Sequence, residues 1–575
     1  MTKNLAAHNS VSAEILELAV KHGNNHESLL EILTDLQRTH GALSEEFITG
    51  TAQALDMASS HVYGVSTFYS MLSQVERKNI MRVCDGPVCW MNESAKTREA
   101  LEKNSTGWSV ERTSCLGLCD RAPAVLMNDE QAGPVFPEDG KKVHQGWRGT
   151  SADYSSPRSG ETRVLLANIA NLDPDSIESA LKYGAYEGLR KTLSQKPEAV
   201  IELIEKSGLQ GRGGAGFPVG RKWQFVAGAK RTPKYILCNA DESEPLIFKD
   251  RVLIDSNPHQ LLEGILIAGY ACGASEAWIY IRGEYEPQAA RLERAIELAQ
   301  QKSFLGERIL GSEFNFNIHI HRGAGAYICG EETALIESLE GKRGEPRIRP
   351  PYPPSYGFRG QPTAVNNVET LSAVPPIVRN GEEWWRSLSN YTTPGTKLYM
   401  VLGRVKTPGL FEAPFGITLR QVIEGFGGGM LDGSKFQIAL SGGAAGTIVN
   451  ENQLDIPLDY GSAQKGISIG AGSFLICDQS VSPVALLREL LHFFSSESCG
   501  KCTPCRVGTW RAFEILKGMA GNDGKTGTVA ELRSISDQLL ASSFCGLGQS
   551  VSIPINSALK NFGEAFVRGE ERVRS

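Results

Sequence analysis

Hydrophobic residues recur at intervals of three and four along the first part of the chain. The stretches Ile15 to Ala19, Leu29 to Leu36 and Glu45 to Leu55 each repeat in this way, which is typical of a helix with one apolar face. We therefore predict a helical domain over residues 1–75.

Short apolar runs separated by turn residues replace the helical spacing after residue 75. Three of these runs, Ile80 to Cys84, Trp108 to Arg112 and Ala124 to Met127, predict strands, and Ser94 to Lys103 predicts a helix. Because strands here alternate with a helix, we predict a small α/β domain over residues 76–146.

The rest of the chain changes character three times. Residues 147–163 are rich in Gly, Ser, Thr, Pro and Arg, which predicts a linker. Glycine loops alternate with strands and helices over 164–392, short strands with turns fill 393–480, and 481–575 is again helical. The predicted fold is therefore multidomain, with α/β and α+β parts.

Composition narrows the classes of function. The 575 residues carry a net charge of −6 without a long basic run, so no nucleic-acid partner is expected. The longest apolar stretches, such as Leu261 to Ala271, are far shorter than a bilayer span, and Met1 to Ser10 has no signal-peptide pattern. We expect a cytoplasmic protein without direct membrane insertion, whose twelve cysteines serve as metal ligands more readily than as disulfides.

Four cysteines near the C-terminus, named here the rear cysteine group, form the most specific pattern. Two residues separate Cys499, Cys502 and Cys505 from one another, and Cys545 follows 40 positions later. Three thiolates on one turn and a distant fourth predict a 4Fe–4S cluster. Zinc sites also use C-x-x-C pairs, but a tetrahedral zinc ion does not need a third cysteine in register.

A second set of four, the front cysteine group, lies nearer the N-terminus as Cys84-x₄-Cys89 and Cys115-x₃-Cys119. Two pairs of thiolates suit a 2Fe–2S cluster, and a glycine in each loop lets backbone N–H groups approach the sulfurs. A zinc ribbon is the alternative, although ribbons favour two-residue spacers.

The first of two glycine-rich loops contains Gly211, Gly213, Gly214 and Gly216. It follows a helical stretch instead of the strand that a dinucleotide fingerprint requires. Its backbone groups could nevertheless cradle a phosphate or a flavin. A flexible turn is the alternative.

The second glycine-rich loop, Gly323 to Gly330, lies between a predicted strand and a predicted helix, which is a general ligand cradle. Glu331 and Glu332 follow it. Carboxylates there suit ribose hydroxyls, as in NAD sites, and an acidic cap on the helix is the alternative.

Two polar runs lie within apolar sequence. Asn239 to Pro245 follows the predicted strand Tyr235 to Leu237, at the strand end where open α/β sheets bind ligands. Asn366 and Asn367 are paired amides that can bind along a heterocycle edge. For each run an ordinary loop or cap is the alternative.

Together these motifs resemble one protein family. Residues 164–575 are similar to the NADH-binding flavoprotein subunit of respiratory complex I, and residues 10–146 resemble that complex's 2Fe–2S subunit. The similarity rests on Val62 to Tyr69, Gly211 to Pro218, Asn239 to Pro245, Gly323 to Glu332, Asn366 to Thr370 and the rear cysteine group. The fusion of both parts most resembles the diaphorase subunit of soluble NAD-reducing nickel–iron hydrogenases.

The resemblance implies five structural parts and their cofactors. After the N-terminal helices come a thioredoxin-like 2Fe–2S domain (76–146), a Rossmann-like FMN/NADH-binding domain (164–392), a β-grasp, ubiquitin-like domain (393–480) and a helical 4Fe–4S domain (481–575). The implied cofactors are FMN, NAD(H), one 4Fe–4S cluster and one 2Fe–2S cluster. The implied partners are a small iron–sulfur diaphorase subunit and a hydrogenase heterodimer of a small and a nickel–iron large subunit.

The resemblance also implies individual site residues. Those matching FMN contacts are Gly213, Lys222, Asn239, Asp241, Tyr327, Gly330, Asn366 and Asn367. Those matching NADH contacts are Phe217 and Phe225 around the adenine, with Glu242, Glu244, Glu332 and Arg349. Gly211, Gly214, Gly216 and Glu331 complete the predicted cofactor-binding set. Glu242 is the one candidate catalytic residue, through electrostatic tuning of the flavin site.

The sequence departs from the family pattern in three places. Arg349 stands where complex I tends to have Lys, which keeps the charge and changes the geometry. Leu246 replaces an expected Gly, which puts the loop shape near the nicotinamide in question. The gap from Cys89 to Cys115 is shorter than usual.

The implied reaction is reversible hydride transfer between nicotinamide C4 and flavin N5, followed by one-electron transfer to the 4Fe–4S cluster. The acidic ribose site favours NAD over NADP. The 2Fe–2S cluster is expected to one side of the main path. The alternatives are a fused NADH-dehydrogenase subunit of complex I or of an NAD-dependent formate dehydrogenase and, from another class, a non-catalytic iron–sulfur relay or assembly scaffold.

Overall fold

The amino-terminal domain consists of four helices, three of which the apolar spacing predicted; the fourth was not predicted. They cover 13–21 (α1), Leu29–His40 (α2), Glu45–Ala54 (α3) and Ser59–Ser66 (α4). The Ser44 hydroxyl accepts the N–H of Phe47 and so satisfies a free group at the start of α3. This computed structural model describes residues 13–77, 79–521 and 527–574, so positions 1–12 of the predicted domain lie outside it.

The second domain is a four-stranded sheet with short helices. Its strands are Ile80–Cys84 (β1), Ser109–Thr113 (β2), Val125–Met127 (β3) and Glu130–Ala132 (β4), and its helices are Pro87–Met91 (α5), Ser94–Asn104 (α6) and Gly140–His144 (α7). The strand order is β2-β1-β3-β4, with β1 parallel to β2 and antiparallel to β3. The three predicted strands and the predicted helix are confirmed to within a residue or two at their ends.

The segment 147–163 has no helix or strand, yet it is bound tightly to its neighbours. Arg158 Nη1 donates to the carbonyl groups of Thr407 and Phe426, both at 2.7 Å. The Tyr154 hydroxyl donates to Asp120 at 3.0 Å. The predicted linker therefore acts as a strap across two domains.

The third domain is built on a parallel sheet. Its strands are Tyr235–Ala240 (β5), Glu276–Ile281 (β6), Asn317–Arg322 (β7) and Thr363–Asn367 (β8), in the order β7-β6-β5-β8. Every neighbouring pair is parallel, so the loops that follow all four strands meet at one edge of the sheet.

Helices surround this sheet. They are Ile177–Lys182 (α8), Glu187–Leu193 (α9), Pro197–Ser207 (α10), Val219–Ala227 (α11), Lys249–Ser256 (α12), Pro258–Cys272 (α13), Glu286–Gln301 (α14), Glu332–Leu339 (α15), Pro353–Tyr356 (α16), Val368–Ser372 (α17), Val374–Asn380 (α18) and Glu382–Ser387 (α19). Nearly all of α13 is buried, which explains its largely apolar sequence.

The fourth domain is a mixed five-stranded sheet. Its strands are Thr396–Gly403 (β9), Gly409–Pro414 (β10), Phe436–Ser441 (β11), Thr447–Val449 (β12) and Ser473–Asp478 (β13), with a short helix at Leu419–Gln421 (α20). The order is β10-β9-β13-β11-β12, in which only the β9–β13 pair is parallel. Tyr399 stacks on Phe411 and Phe474 in its core.

The C-terminal domain is helical, as predicted. Its helices are Pro483–Ser496 (α21), Thr503–Met519 (α22), Val529–Ser542 (α23), Gly546–Ser550 (α24) and Ser552–Arg574 (α25). Across the described ranges, no helix combines the length and apolar character needed to cross a membrane.

Buried charges join the third and fourth domains. Lys397 on β9 lies 3.0 Å from Glu369 on α17, and Glu369 lies 3.1 Å from Lys249 at the start of α12. Lys249 in turn lies 2.6 Å from Asp250. Burial lowers the pKa of Lys397 to about 8, while Lys397 and Lys249, acting against burial, lower the pKa of Glu369. Removing any one of these charged side chains would leave its neighbour buried without a counter-charge, which costs several kcal/mol.

Candidate functional site

The polar loops that the sequence singled out converge at the carboxyl edge of the parallel sheet. β5 ends at Ala240 and β8 ends at Asn367, and the residues there enter a cleft of about 860 Å³, counting the part open to solvent. The predicted residues that line it are Gly213, Asn239, Asp241, Glu242, Glu244, Tyr327, Gly330, Glu331 and Asn367. Ala471 from the fourth domain and Leu547 from the fifth complete its walls.

Glycine keeps the cleft open at two predicted positions. A side chain at Gly213 would come within 3.3 Å of Asn367 Cβ, and one at Gly330 within 3.6 Å of the Asp241 carbonyl oxygen. Asn239 fixes the second glycine loop, because its Nδ2 donates to the Gly330 carbonyl at 2.8 Å. A cleft that glycine holds open, edged by amides and backbone groups, fits a planar cofactor such as FMN.

Three carboxyl groups face the cleft with raised pKa values. Burial raises the pKa of Asp241 to about 7, that of Glu242 to about 8 and that of Glu244 to about 7. Against the effect of burial, Asp250 raises the pKa of Lys249, which stays charged. The carboxyl groups therefore hold protons near neutral pH, which limits the negative charge that an anionic ligand meets.

The candidate catalytic residue Glu242 is bound to the start of α12. Its Oε1 accepts the N–H of Asp250 at 2.7 Å, and its Oε2 accepts the N–H of Arg251 at 3.0 Å. These are N–H groups that the helix itself leaves free. The Tyr285 hydroxyl donates to Oε2 at 3.0 Å. Both oxygens are thus engaged by the protein, so the Glu242 carboxyl group is held at a fixed position beside the cleft.

Leu246 keeps the loop shape that glycine would allow. Its φ is 79°, in the left-handed region, and its side chain is fully buried. A non-glycine residue in this region costs about 1–3 kcal/mol. Burial of a leucine side chain contributes about 1.5–3 kcal/mol, which offsets that strain. The departure from the family pattern therefore leaves the loop conformation intact.

Glu332 lies beside the cleft between two cations. It accepts a hydrogen bond from Arg349 Nη1 at 3.2 Å and lies 3.7 Å from Lys222 Nζ. Glu331 instead caps α15, because its Oε2 accepts two backbone N–H groups. Glu331 therefore forms the acidic helix cap that was the alternative to ribose binding. The carboxylate of Glu332 is instead held in place by Arg349 and Lys222.

Phe217 and Phe225 present aromatic faces to solvent, with 45% and 56% of their surfaces exposed. An exposed aromatic face can stack on a planar ring of a ligand. Their exposure fits the predicted role around an adenine ring.

The remaining predicted residues shape the loops behind the cleft. They are Gly211, Gly214, Gly216 and Asn366. Gly216 has a φ of 66°, and a side chain there would come within 2.8 Å of the Tyr460 ring. Asn366 Oδ1 accepts the Trp223 indole N–H at 3.1 Å. These residues hold the first glycine loop and the end of β8 in place.

The rear cysteine group surrounds a cavity next to the cleft. All four of its cysteines line this small cavity, as do Ile328 and Leu547. Ile328 and Leu547 also line the cleft, so these two apolar side chains form a shared wall. Gly500, at a φ of 78°, lets the loop turn around the cavity.

The front cysteine group is buried completely. Cys84 ends β1 and Cys89 lies in α5, while Cys115 and Cys119 flank a tight loop. The Sγ atoms of Cys115 and Cys119 lie 3.6 Å apart, and the Gly117 N–H donates to Cys115 Sγ at 3.4 Å. Hydrogen bonds from Cys119 and Cys84 lower the pKa of Cys115, which favours a thiolate there.

The four thiols of the rear cysteine group line one cavity. In the front cysteine group, Cys84 contacts Cys89 and Cys115, and Cys115 contacts Cys119, so the predicted ligands lie together in their two sets of four. Within the described ranges, no group of three or more His, Cys, Asp or Glu side chains has the arrangement for a single metal ion.

Two arginines connect the front cysteine group to the cleft. Arg282 donates to the carbonyl of Cys115 at 2.6 Å and to the carbonyl of Glu242 at 2.8 Å. Arg251 Nε donates to the carbonyl of Gly117 at 3.1 Å. The Arg282 side chain thus holds both the loop that carries two front thiols and the loop that lines the cleft, while Arg251 binds the front loop with its side chain and Glu242 with its backbone N–H.

Sequence reasoning missed several residues that line the cleft. Lys249 and Asp250 are adjacent opposite charges directly after the apolar run Leu246 to Phe248, a signal that could have been read. Ala471 and Leu547 come from other domains, and nothing local in the sequence marks them.

Models of known families match four parts of the chain. The Nuo51 FMN-binding domain matches residues 204–376, and the NADH-ubiquinone oxidoreductase-F iron-sulfur binding region matches 485–569. The thioredoxin-like 2Fe-2S ferredoxin matches 15–148, and the SLBB domain matches 398–448.

Known proteins are similar over most of the chain. The F 2 subunit of the NADH-quinone oxidoreductase of Rhizobium meliloti is 44% identical over 413 residues, which are 72% of this chain and 98% of that protein. The HndC subunit of the NADP-reducing hydrogenase of Solidesulfovibrio fructosivorans is 42% identical over 407 residues, 71% of this chain and 83% of that protein. The crystal structure of an NAD+-reducing NiFe hydrogenase in the H2-reduced state superposes with a TM-score of 0.82 at 30% identity, covering 95% of this chain and 94% of that one.

Proposed function

The chain belongs to the family of NADH-oxidising flavoproteins that includes the F subunits of NADH-quinone oxidoreductases, and we propose how its own residues perform that reaction. It is an NAD-dependent flavin and iron–sulfur oxidoreductase whose cofactors are FMN, a 2Fe–2S cluster and a 4Fe–4S cluster, as predicted. The family match favours this enzyme over the zinc alternatives and over the non-catalytic scaffold. The observation that carries the proposal is the wall of Ile328 and Leu547 shared by the cleft and the rear cavity.

FMN would lie in the cleft against Gly213, Asn239, Tyr327 and Asn367. When bound, FMN accepts a hydride from NADH and releases electrons one at a time. The protein fixes the cleft around it, because the Tyr327 backbone N–H donates to Glu497 at 2.9 Å and Asn239 holds the second glycine loop. The Glu242 carboxyl group, bound to the start of α12, lines the cleft at a constant position.

NADH would bind beside the flavin with its adenine between Phe217 and Phe225, both of which are exposed. The Glu332 carboxylate would accept hydrogen bonds from ribose hydroxyls, and Arg349 and Lys222 orient it. A 2′-phosphate would meet this carboxylate, so NAD is favoured over NADP.

Electrons would leave through the rear cysteine group. Cys499, Cys502, Cys505 and Cys545 would hold the 4Fe–4S cluster, separated from the cleft by Ile328 and Leu547. The 2Fe–2S cluster would be held by Cys84, Cys89, Cys115 and Cys119, buried on the other side of the cleft.

The partners would be a small iron–sulfur diaphorase subunit and a hydrogenase heterodimer. A second crystal structure of an NAD+-reducing NiFe hydrogenase, in the air-oxidized state, matches over 93% of both chains, so the likeness includes the front domain. Val507, Leu540 and Ile553 are exposed apolar side chains on the helices around the rear cysteine group, where a partner would bury them. The free state of all twelve cysteines agrees with a cytoplasmic, reducing location.

The test of the flavin site compares two glycine variants of the purified, FMN-loaded protein. Gly213→Val fills the cradle and is expected to lose FMN, whereas Gly461→Val places its side chain in open space and serves as the control. FMN content is read from released flavin fluorescence, and NADH is added without oxygen to bleach the flavin absorption. Retained FMN in Gly213→Val, or a wild-type flavin that NADH does not bleach, would contradict the proposal.

The partner is tested by purification under anaerobic conditions from the native host. Co-purification with a nickel–iron large subunit supports the hydrogenase. Recovery with quinone-reducing membrane subunits, or with a formate-oxidising subunit, would instead favour one of the two alternatives.

A further inference from the structure

One serine hydroxyl touches a thiol of the rear cysteine group. Ser498 Oγ lies 3.3 Å from Cys505 Sγ, within hydrogen-bond distance for sulfur. Cys505 lies in the first turn of α22 and is the most buried thiol of the group. In the part of the chain that the structure describes, no other side-chain hydroxyl donates to a rear sulfur.

The direction of this hydrogen bond follows from the chemistry of the ligand. The backbone N–H of Gly500 donates to Ser498 Oγ at 3.4 Å, so the hydroxyl oxygen already accepts one proton. A cysteine that holds a cluster is a thiolate and has no proton to give. The hydroxyl proton of Ser498 therefore points at Cys505 Sγ, and the Gly500 N–H polarises the hydroxyl further.

The position of Ser498 is fixed from both sides. Glu497 ends α21, with its N–H bound to the carbonyl of Phe493, and its carboxylate accepts the Tyr327 N–H at the cleft. Cys499 follows Ser498 directly. The serine thus has little freedom to turn away from the thiolate.

We propose that Ser498 is a positioning residue that donates a hydrogen bond to the Cys505 thiolate and raises the reduction potential of the rear cluster. The proposal rests on the proposed function, since it requires a 4Fe–4S cluster at the rear cysteine group. One-electron reduction adds a negative charge to the cluster and its thiolates. A donor aimed at a ligand sulfur stabilises that added charge, and hydrogen bonds to sulfur are an established influence on cluster potential.

The test is a redox titration of the holoprotein, followed by the EPR signal of the reduced rear cluster. Ser498→Ala removes the donor, and we expect the reduced-to-oxidised ratio at fixed ambient potential to fall about threefold to tenfold, tenfold being about 59 mV for one electron. Ser498→Thr keeps the hydroxyl and should stay close to the wild type. The matched control is Thr509→Val, because Thr509 Oγ1 donates at 2.7 Å to the Cys505 carbonyl and not to its sulfur.

A second pair of variants serves if Ser498→Ala does not retain its cluster. The side chains introduced by Ser498→Thr and Ser498→Val have the same shape and differ only in the hydroxyl. A lower midpoint potential of the rear cluster in Ser498→Val than in Ser498→Thr supports the proposal. Equal midpoint potentials in the wild type and Ser498→Ala, or in Ser498→Thr and Ser498→Val, overturn the proposal about Ser498. They leave the proposed function standing. Absence of a 4Fe–4S signal from the wild-type rear cysteine group overturns the proposed function itself.

Discussion

The front and rear cysteine groups each present four thiols, but they are joined to the cleft by different kinds of contact. Arg282 and Arg251 reach the front group with charged hydrogen bonds to backbone carbonyls. The rear group meets the cleft across Ile328 and Leu547. The front thiols are buried throughout, whereas Cys499 and Cys502 of the rear group are partly exposed.

This difference separates two tasks. An apolar wall excludes water and keeps a short path from the cleft, and a partly exposed far side lets a partner approach the rear group. The guanidinium groups of Arg282 and Arg251 fix the position of the front loop relative to the cleft. The front cysteine group itself is buried and presents no exposed thiol to a partner. We therefore expect the rear cysteine group to pass electrons to a partner, whereas the front cysteine group is enclosed and is joined to the cleft by polar contacts.

The largest effect should come from removing one thiol of each group in turn. Cys545→Ala should lower electron transfer to the partner by more than about 100-fold, beyond the loss that outer residues of metal sites cause. NADH should still bleach the flavin in this variant. Cys115→Ala should leave transfer to the partner nearly intact. Stopped-flow absorbance with the purified partner measures both, and equal losses would break the comparison.

The second prediction concerns the arginine contact at the front. Arg282→Met leaves Glu284, its ion-pair partner at 2.8 Å, buried without a counter-charge. We expect an apparent loss of about 3–5 kcal/mol in unfolding free energy. Urea titration followed at the front-cluster absorption measures it. Arg282→Met combined with Glu284→Leu should recover part of the loss, and no recovery would mean that the two carbonyl contacts dominate.

The third prediction asks whether the charge of the front group reaches the cleft. Burial and, to a smaller extent, the Cys115 thiolate together raise the pKa of Glu244 to about 7. A pKa raised above the ordinary value stabilises the fold at low pH, and this contribution disappears as pH rises through about 7. The wild type should thus lose up to about 3 kcal/mol relative to Glu244→Gln between acid and alkaline pH. The measurement is the free energy of unfolding of the wild type and of Glu244→Gln as a function of pH. A constant difference between the two proteins from acid to alkaline pH would refute the prediction.

The smallest effect is expected at an exposed contact of the same front group. Arg112 donates to Asp85 at 2.6 Å, between Cys84 and Cys89, but about half of its side chain is exposed. Arg112→Met should therefore cost less than about 1 kcal/mol. The measurement is thermal unfolding of Arg112→Met and Arg282→Met, each compared with the wild type under the same conditions. A loss as large as that of Arg282→Met would show that charge, and not burial, governs the front contacts.

The sequence predicted those parts of the site that lie on one strand end. Asn239 to Pro245 was identified because a polar run follows an apolar strand, and parallel pairing brings it to the edge where Asn367 ends β8. Periodicity also predicted the helices α1, α2 and α3 of the first domain, but it missed α4.

What the sequence could not predict depends on contacts between distant segments. Ala471 and Leu547 reach the cleft from other domains, and their local sequence carries no chemical signal. Glu331 and Glu332 are adjacent acids with different roles: Glu331 caps α15, and Glu332 is held by two cations. Which of the two would cap the helix depends on where α15 begins, and the sequence does not mark that position. Leu246 keeps a glycine-like conformation that its residue type argues against.

The line of buried charges from Lys397 to Asp250 limits how such proteins can exchange parts. Lys397 belongs to the β-grasp domain, and its counter-ion Glu369 belongs to the flavin domain. A recombination event that replaced one domain from a distant relative would leave one of these charges alone in the interior. The two domains are therefore expected to be inherited as a single block.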